Sequence, residues 1–186
     1  MAKALKQDAT YADLSSVPEN FVAEILGGEL YASPRPAFSH ATVASALAVL
    51  LGGPFRFGIN GPGGWLIVSE PELHLDADVL VPDLAGWRIE RMSAEPYAAY
   101  PTLAPDWVCE VLSPSTEVID RTKKLKIYAR ERVEHMWLID PQSKTLEVLG
   151  PARHGWTLLA KHEGGERIRA KPFQAIELAL SDVWSA

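Results

Sequence analysis

Asp106-Trp107-Val108-Cys109-Glu110-Val111-Leu112, closed by Ser113-Pro114-Ser115, is the stretch that decides the fold. An apolar run of this length, stopped by turn residues, predicts a strand. A helix is expected next, over residues 116–132. Ser115 or Thr116 can cap it, and Glu117 places negative charge in its first turn, where the helix dipole favours it. Working outward, strands are predicted over 65–69, 72–75, 84–89 and 135–139. A meander should follow over 145–149, 157–161 and 166–170, turning at Pro141-Gln142-Ser143 and near His154-Gly155. Nearer the N-terminus, a helix is expected after Ser16, with Pro18 in its first turn and Gly27-Gly28 as its stop. Residues 29–33 read as extended, and Pro34 and Pro36 break them. A second helix over 38–51 carries Ala41, Ala44, Leu47, Ala48 and Leu51 at spacings of three and four, and Gly52-Gly53 should end it. Residues 95–105 read as a loop. The order of elements predicts an α/β domain on the α+β border.

The chain has 186 residues, 47% hydrophobic and 23% charged. These values favour a single globular domain, with residues 1–12 as a flexible N-terminal tail. A chain of this length buries roughly 70% of its unfolded surface, so it needs no covalent staple. The lone Cys109 excludes an internal disulfide and a thiolate metal cage, which suits a reducing cytoplasm. The longest apolar stretch, residues 41–51, is too short to span a bilayer. Net charge is −6, which argues against nucleic-acid binding through the overall field. The charge is uneven, however. Residues 120–132 carry six basic and two acidic side chains, hence +4, leaving −10 on the rest.

Two carboxylates stand where chemistry could use them. Glu110 interrupts an apolar strand and shares a face with Val108 and Leu112, an expensive place for an unpaired charge. Asp83 follows Pro82 at the start of a strand; alone, it reads equally well as a turn residue. Asp120, Lys124 and Tyr128 recur at intervals of four, on one helix stripe. Taken singly, Lys124 reads as a surface lysine lying over Tyr128. Gly61-Pro62-Gly63-Gly64 lacks the Lys-Ser/Thr ending of a phosphate loop and reads as a turn.

Several blocks occur in a telling order: Gly28-Glu29-Leu30-Tyr31, Pro82-Asp83-Leu84, Glu110-Val111-Leu112-Ser113-Pro114-Ser115-Thr116, Asp120-Arg121 with Lys124 and Tyr128, and Trp137-Leu138-Ile139-Asp140-Pro141. Together they resemble the Uma-type restriction endonuclease family, a branch of the PD-(D/E)XK nuclease superfamily, over nearly the whole chain. The resemblance implies a restriction-endonuclease-like core, a mixed central sheet flanked by helices, here with an added C-terminal meander. It implies a DNA endonuclease whose Asp83 and Glu110, with the Val111 carbonyl and Glu29, hold Mg²⁺ or Mn²⁺. Leu112 stands where the superfamily usually has its lysine, and the resemblance implies that Lys124 takes that task from the helix. His40, Asp120 and Tyr128 are accessory candidates. Arg121, Lys123 and Lys126 are candidates for contacting DNA phosphates, each contact salt-dependent. A duplex presents two scissile strands, which a homodimer would match. The competing readings are a catalytically silent nuclease-fold module binding nucleic acid or a protein, and a hydrolase of RNA or a nucleotide.

Overall fold

The computed structural model describes residues 4–92 and 99–184. In chain order the elements are α1 (Tyr11–Leu14), β1 (Phe21–Leu26), β2 (Glu29–Pro34), α2 (Phe38–Leu51), β3 (Trp65–Ser69), β4 (Leu73–Leu75), β5 (Asp78–Leu80), β6 (Leu84–Arg88), β7 (Trp107–Val111), α3 (Glu117–Ile119), α4 (Leu125–Arg130), β8 (His135–Asp140), β9 (Thr145–Pro151), β10 (Trp156–Glu163), β11 (Arg167–Ile168), β12 (Leu178–Ala179) and α5 (Leu180–Trp184). A π turn, Gly52–Arg56, prolongs α2, and another, Asp120–Lys124, joins α3 to α4. Part of the loop expected over 95–105 lies outside the described residues.

The main sheet has six strands in the order β10-β9-β8-β7-β6-β3. Among the described residues only β7 and β8 pair in parallel, since the chain between them crosses over through α3 and α4. The other pairs are antiparallel, so the sheet is mixed. A second, antiparallel sheet runs β2-β1-β5-β4. Every residue of β7 is buried, because both faces of the main sheet are covered. On one face Trp107, Cys109 and Val111 join Val43, Leu47 and Leu51 of α2, together with Phe173 and Val183. On the other, Val108 and Leu112 meet Leu26, Tyr31, Leu80, Tyr128 and Met136. The segment Phe38–Arg56 is long and apolar enough to cross a membrane by length and composition, but it packs Val43, Leu47, Leu51 and Phe55 into the sheet core. Trp107 is fully buried, edge-on to Trp137 with ring centroids 5.4 Å apart, and offers no base-stacking surface.

The expected first helix is a strand. Residues 21–26 pair one-to-one with β2, from Phe21 with Pro34 to Leu26 with Glu29. Gly27 and Gly28 both have left-handed φ, +64° and +76°. Two consecutive left-handed residues make the two-residue hairpin turn whose twist matches the flanking strands, whereas a helix stop needs only one. Gly-Gly serves both purposes in sequence, hence the misreading. Gly52-Gly53 likewise does not end α2 but begins its π turn. The three-residue β5 was too short to register in the sequence. Of the expected strand 166–170 only Arg167–Ile168 forms, and it pairs with β12 rather than with the meander. In the described part of the expected tail, Leu5 and Ala9 donate backbone hydrogen bonds to Leu30 and Gly28, both at 2.8 Å, so this segment runs beside β2 rather than trailing free.

Candidate active site

Strand alternation turns Glu110 toward the face of β7 covered by β1, β5 and the crossover helix, where it is 2% exposed. Its carboxylate does not stand alone. Tyr128 Oη donates to Glu110 Oε1 at 2.7 Å, and Lys124 Nζ donates to Oε2 at 3.3 Å. The Lys124 ammonium also lies 2.9 Å from Glu24 Oε1 and 3.4 Å from Asp120 Oδ1, and is itself buried. Glu24 Oε1 accepts the Val81 amide at 2.8 Å, which ties the hairpin to the segment leading into Asp83. The π turn spans Asp120 to Lys124, and both side chains still meet the same cluster. Such turns carry a surplus residue and are frequent at functional sites.

Asp83 stands one residue before β6, and its Oδ2 accepts the amide of Val111 at 2.7 Å, the residue after Glu110. Its Oδ1 lies 3.4 Å from His40 Nε2 on α2. Glu24, His40, Asp83, Glu110, Asp120 and Lys124 thus line one open cavity of about 350 Å³, with Arg35 and Glu70 also on its wall.

Three carboxylates, Glu24, Glu110 and Asp120, share the Lys124 ammonium, and Asp83 stands nearby beside His40, so the cluster is short of positive charge. Burial raises Glu110 well above the ordinary carboxylate range, opposed by Lys124 and reinforced by Asp120, Asp83 and Glu24. Burial likewise brings Asp120 up to about 6, although Lys124 pulls it down. Lys124 is held well above its ordinary value: desolvation lowers it, but Glu110, Glu24 and Asp120 outweigh that, and it stays protonated. Burial also lowers His40, yet the Asp83 hydrogen bond and charge, the Val111 backbone and the Asp120 charge leave it raised.

A carboxyl whose folded value is raised binds protons more tightly folded than unfolded, so its stabilisation is present at low pH and lost as pH climbs. Because the Asp120 carboxyl ionises at lower pH in the unfolded chain, this group alone should cost the folded state roughly 3 kcal/mol in all between about pH 3 and pH 7. Asp120→Asn is expected to remove that part of the loss. Urea midpoints measured from pH 4 to 7 check it: an unchanged pH slope would refute the electrostatic reading.

Other candidates are placed differently. Glu29 is not on the cavity wall; its Oε2 takes hydrogen bonds from Lys123 Nζ and Tyr31 Oη, each at 2.6 Å. The acid that the N-terminal region brings to the cavity is Glu24, five residues earlier. Sequence reading missed it because the segment was assigned to a helix; as a strand, its lone carboxylate among apolar residues would have matched the signal that marked Glu110. Arg121 grips Glu147 with both terminal nitrogens, at 2.9 and 2.8 Å, and Glu117 through Nε at 3.0 Å. With Lys123 on Glu29, two of the three cations expected to meet phosphates are already ion-paired, while Lys126 is exposed. Leu112, at the usual lysine position, is buried among apolar side chains.

Among the described residues, no three His, Cys, Asp or Glu side chains converge closely enough to form a metal cage. Magnesium does not need one, because it is commonly held by one or two carboxylates, waters and substrate phosphates.

No curated protein matches the chain. A crystal structure described as "a putative nuclease belonging to DUF820", from Anabaena variabilis ATCC 29413, is 20% identical. It covers 95% of this chain and 97% of its own, with a TM-score of 0.74. That likeness establishes a shared mixed α/β fold. The family model described as "Putative restriction endonuclease" matches residues 8–181. The chain therefore belongs to the Uma2 family.

Proposed function

We propose that the protein is a metal-dependent endonuclease that hydrolyses phosphodiester bonds in DNA. The observation that carries this reading is the convergence of Asp83 and Glu110, from adjacent strands, on one cavity that also holds the Lys124 ammonium. The donor set suits a hard divalent cation: carboxylate oxygens in excess over positive charge, beside the backbone of Val111. Asp83, Glu110 and the Val111 carbonyl would hold Mg²⁺ or Mn²⁺. Such an ion would supply Lewis-acid activation of water and relief of charge on the attacked phosphate.

The chain's own groups prepare the rest. The Val111 amide and His40 fix both oxygens of Asp83, and Tyr128 with Lys124 fixes those of Glu110. Groups held this way need little reorganisation when charge develops. Lys124 is a permanent positive charge beside the reacting phosphate and offsets charge growing there. The single buried thiol is in keeping with the cytoplasm, and a homodimer would address both strands of a duplex.

A second reading has a specific observation in its favour. Arg121 and Lys123 are neutralised by Glu147, Glu117 and Glu29, which leaves less positive surface for a duplex. This favours a binding module without catalysis, or a smaller phosphoester substrate. Supercoiled and linear DNA, incubated with Mg²⁺, Mn²⁺ or chelator, separates the readings. Cleavage that requires the divalent ion is expected. Retained DNA binding with no cleavage under any metal would replace the proposal with the module, and cleavage confined to RNA or nucleotides would move the substrate class.

A further inference from the structure

A second cavity, about 370 Å³, adjoins the first, and Val22, Arg35, Glu70 and Val81 line both. Its far wall carries Tyr11 and Glu72. Around them stands an aromatic group of three. His74 and Tyr100 stack with centroids 3.5 Å apart and planes 11° from parallel, and Tyr11 is tilted against both, at 5.0 and 6.2 Å. Glu72 Oε1 holds the group together, 3.0 Å from Tyr11 Oη and 2.7 Å from His74 Nε2, and the His74 amide donates to the Pro101 carbonyl at 3.0 Å. These contacts fix the rings and leave two of them open: Tyr11 remains 50% exposed and Tyr100 37%, whereas the His74 ring is mostly covered. A purely structural aromatic cluster would bury its faces, as Trp107, Trp137 and Phe173 do here.

Resting on the nuclease reading above, we propose that this annex is a subsite for an unpaired nucleobase of the substrate, next to the scissile phosphate. Rigid, partly exposed rings are what single-stranded nucleic acid stacks upon. Arg35 lies between the two cavities, 58% exposed, with its nearest carboxylate, Glu70, 3.9 Å away. It is the cation placed to meet a phosphate linking the two positions. The other charges of the annex are acidic, Glu70 and Glu72, which disfavours a chain of phosphates there and favours base edges that donate hydrogen bonds. Carboxylates accept from the exocyclic amino group of cytosine, and guanine offers comparable donors. The preferred occupant is therefore an unpaired base that carries an amino group, guanine, cytosine or adenine rather than thymine, and the preferred substrate a single strand, overhang or distorted duplex rather than regular duplex DNA.

The test uses the full chain and short DNA oligonucleotides, single-stranded or duplex, with guanine, cytosine, adenine or thymine at each position beside the cleavage site. Binding is measured with Ca²⁺ and cleavage with Mg²⁺ or Mn²⁺. Wild-type protein should prefer the single strand, and guanine, cytosine or adenine over thymine at one fixed position. Tyr11→Ala should raise KM for that strand by about 5- to 100-fold, the loss falling on KM rather than kcat, while Tyr11→Phe restores binding because the ring and not the hydroxyl stacks. Glu70→Gln should erase the base preference, and equal Tm values for the variants exclude unfolding as the cause. A KM unmoved by Tyr11→Ala, or a preference for regular duplex, overturns the subsite even where the protein cleaves DNA. Binding with the expected preference and no cleavage leaves the subsite and removes the nuclease reading; neither binding nor cleavage removes both.

Discussion

Lys124→Ala should destabilise the protein by about 3–5 kcal/mol at neutral pH, a fall in Tm of about 6–20 °C. The reason is what the substitution leaves behind. Glu24, Glu110 and Asp120 are all buried, all lie within 3.4 Å of the Lys124 ammonium, and would face one another with no counter-charge. Breaking a buried ion pair by removing one partner costs far more than the pair contributes, because the survivors stay desolvated. The loss should shrink on acidification, since Asp120, brought up to about 6, and Glu110, raised further, take up protons and cease to repel. Lys124→Met, which keeps most of the packing volume, should show the same pH dependence. Calorimetric Tm values at pH 5 and pH 7.5 decide the matter: an equal loss at both would mean that lost packing, and not charge, was responsible.

The second large effect belongs to Asp83. Asp83→Ala should lower divalent-metal-dependent DNA cleavage by about 10³-fold or more, since a bound ion would supply several kcal/mol of transition-state stabilisation and this carboxylate is one of the two acidic ligands proposed for it. The fold should survive. The Val111 amide loses its acceptor, a cost of about 1–3 kcal/mol, and Asp83→Asn should recover part of that stability without recovering cleavage. His40 supplies an independent readout. Asp83 is the principal influence raising it, so its titration, followed by NMR, should move to lower pH in Asp83→Ala. Full cleavage by Asp83→Ala would remove the proposed role of this residue.

How much of this could be read from the chain alone varies element by element. The strand around Glu110, the helix carrying Asp120, Lys124 and Tyr128, and the strand after it follow from residue pattern, and the structure has them near those positions, although Thr116 stands at the N-cap without a side-chain capping bond and the helix is interrupted by its π turn. The placing of Val108, Glu110 and Leu112 on one face needed only strand alternation. The hairpin of β1 and β2 was not legible, because Gly27-Gly28 closes a helix or turns a hairpin equally well and only the pairing of β1 with β2 and β5 settles which. Glu24 was lost with it. The ion pairs of Arg121 and Lys123 were also out of reach, since Glu147 and Glu29 are remote in sequence and come near only through the fold. Short strands such as β5 carry too few residues to show a period.

The surplus residue in the crossover helix has one more consequence. A π turn advances less per residue than the roughly 100° of an α-helix, so trimming a single position between Glu117 and Lys124 would return the helix to regular winding and shift the amine relative to the first turn. The outline of the fold could persist through such a deletion while the amine lost its three acidic neighbours. Chain length in this one turn, as much as the identity of any side chain in it, is what an evolving sequence has to keep.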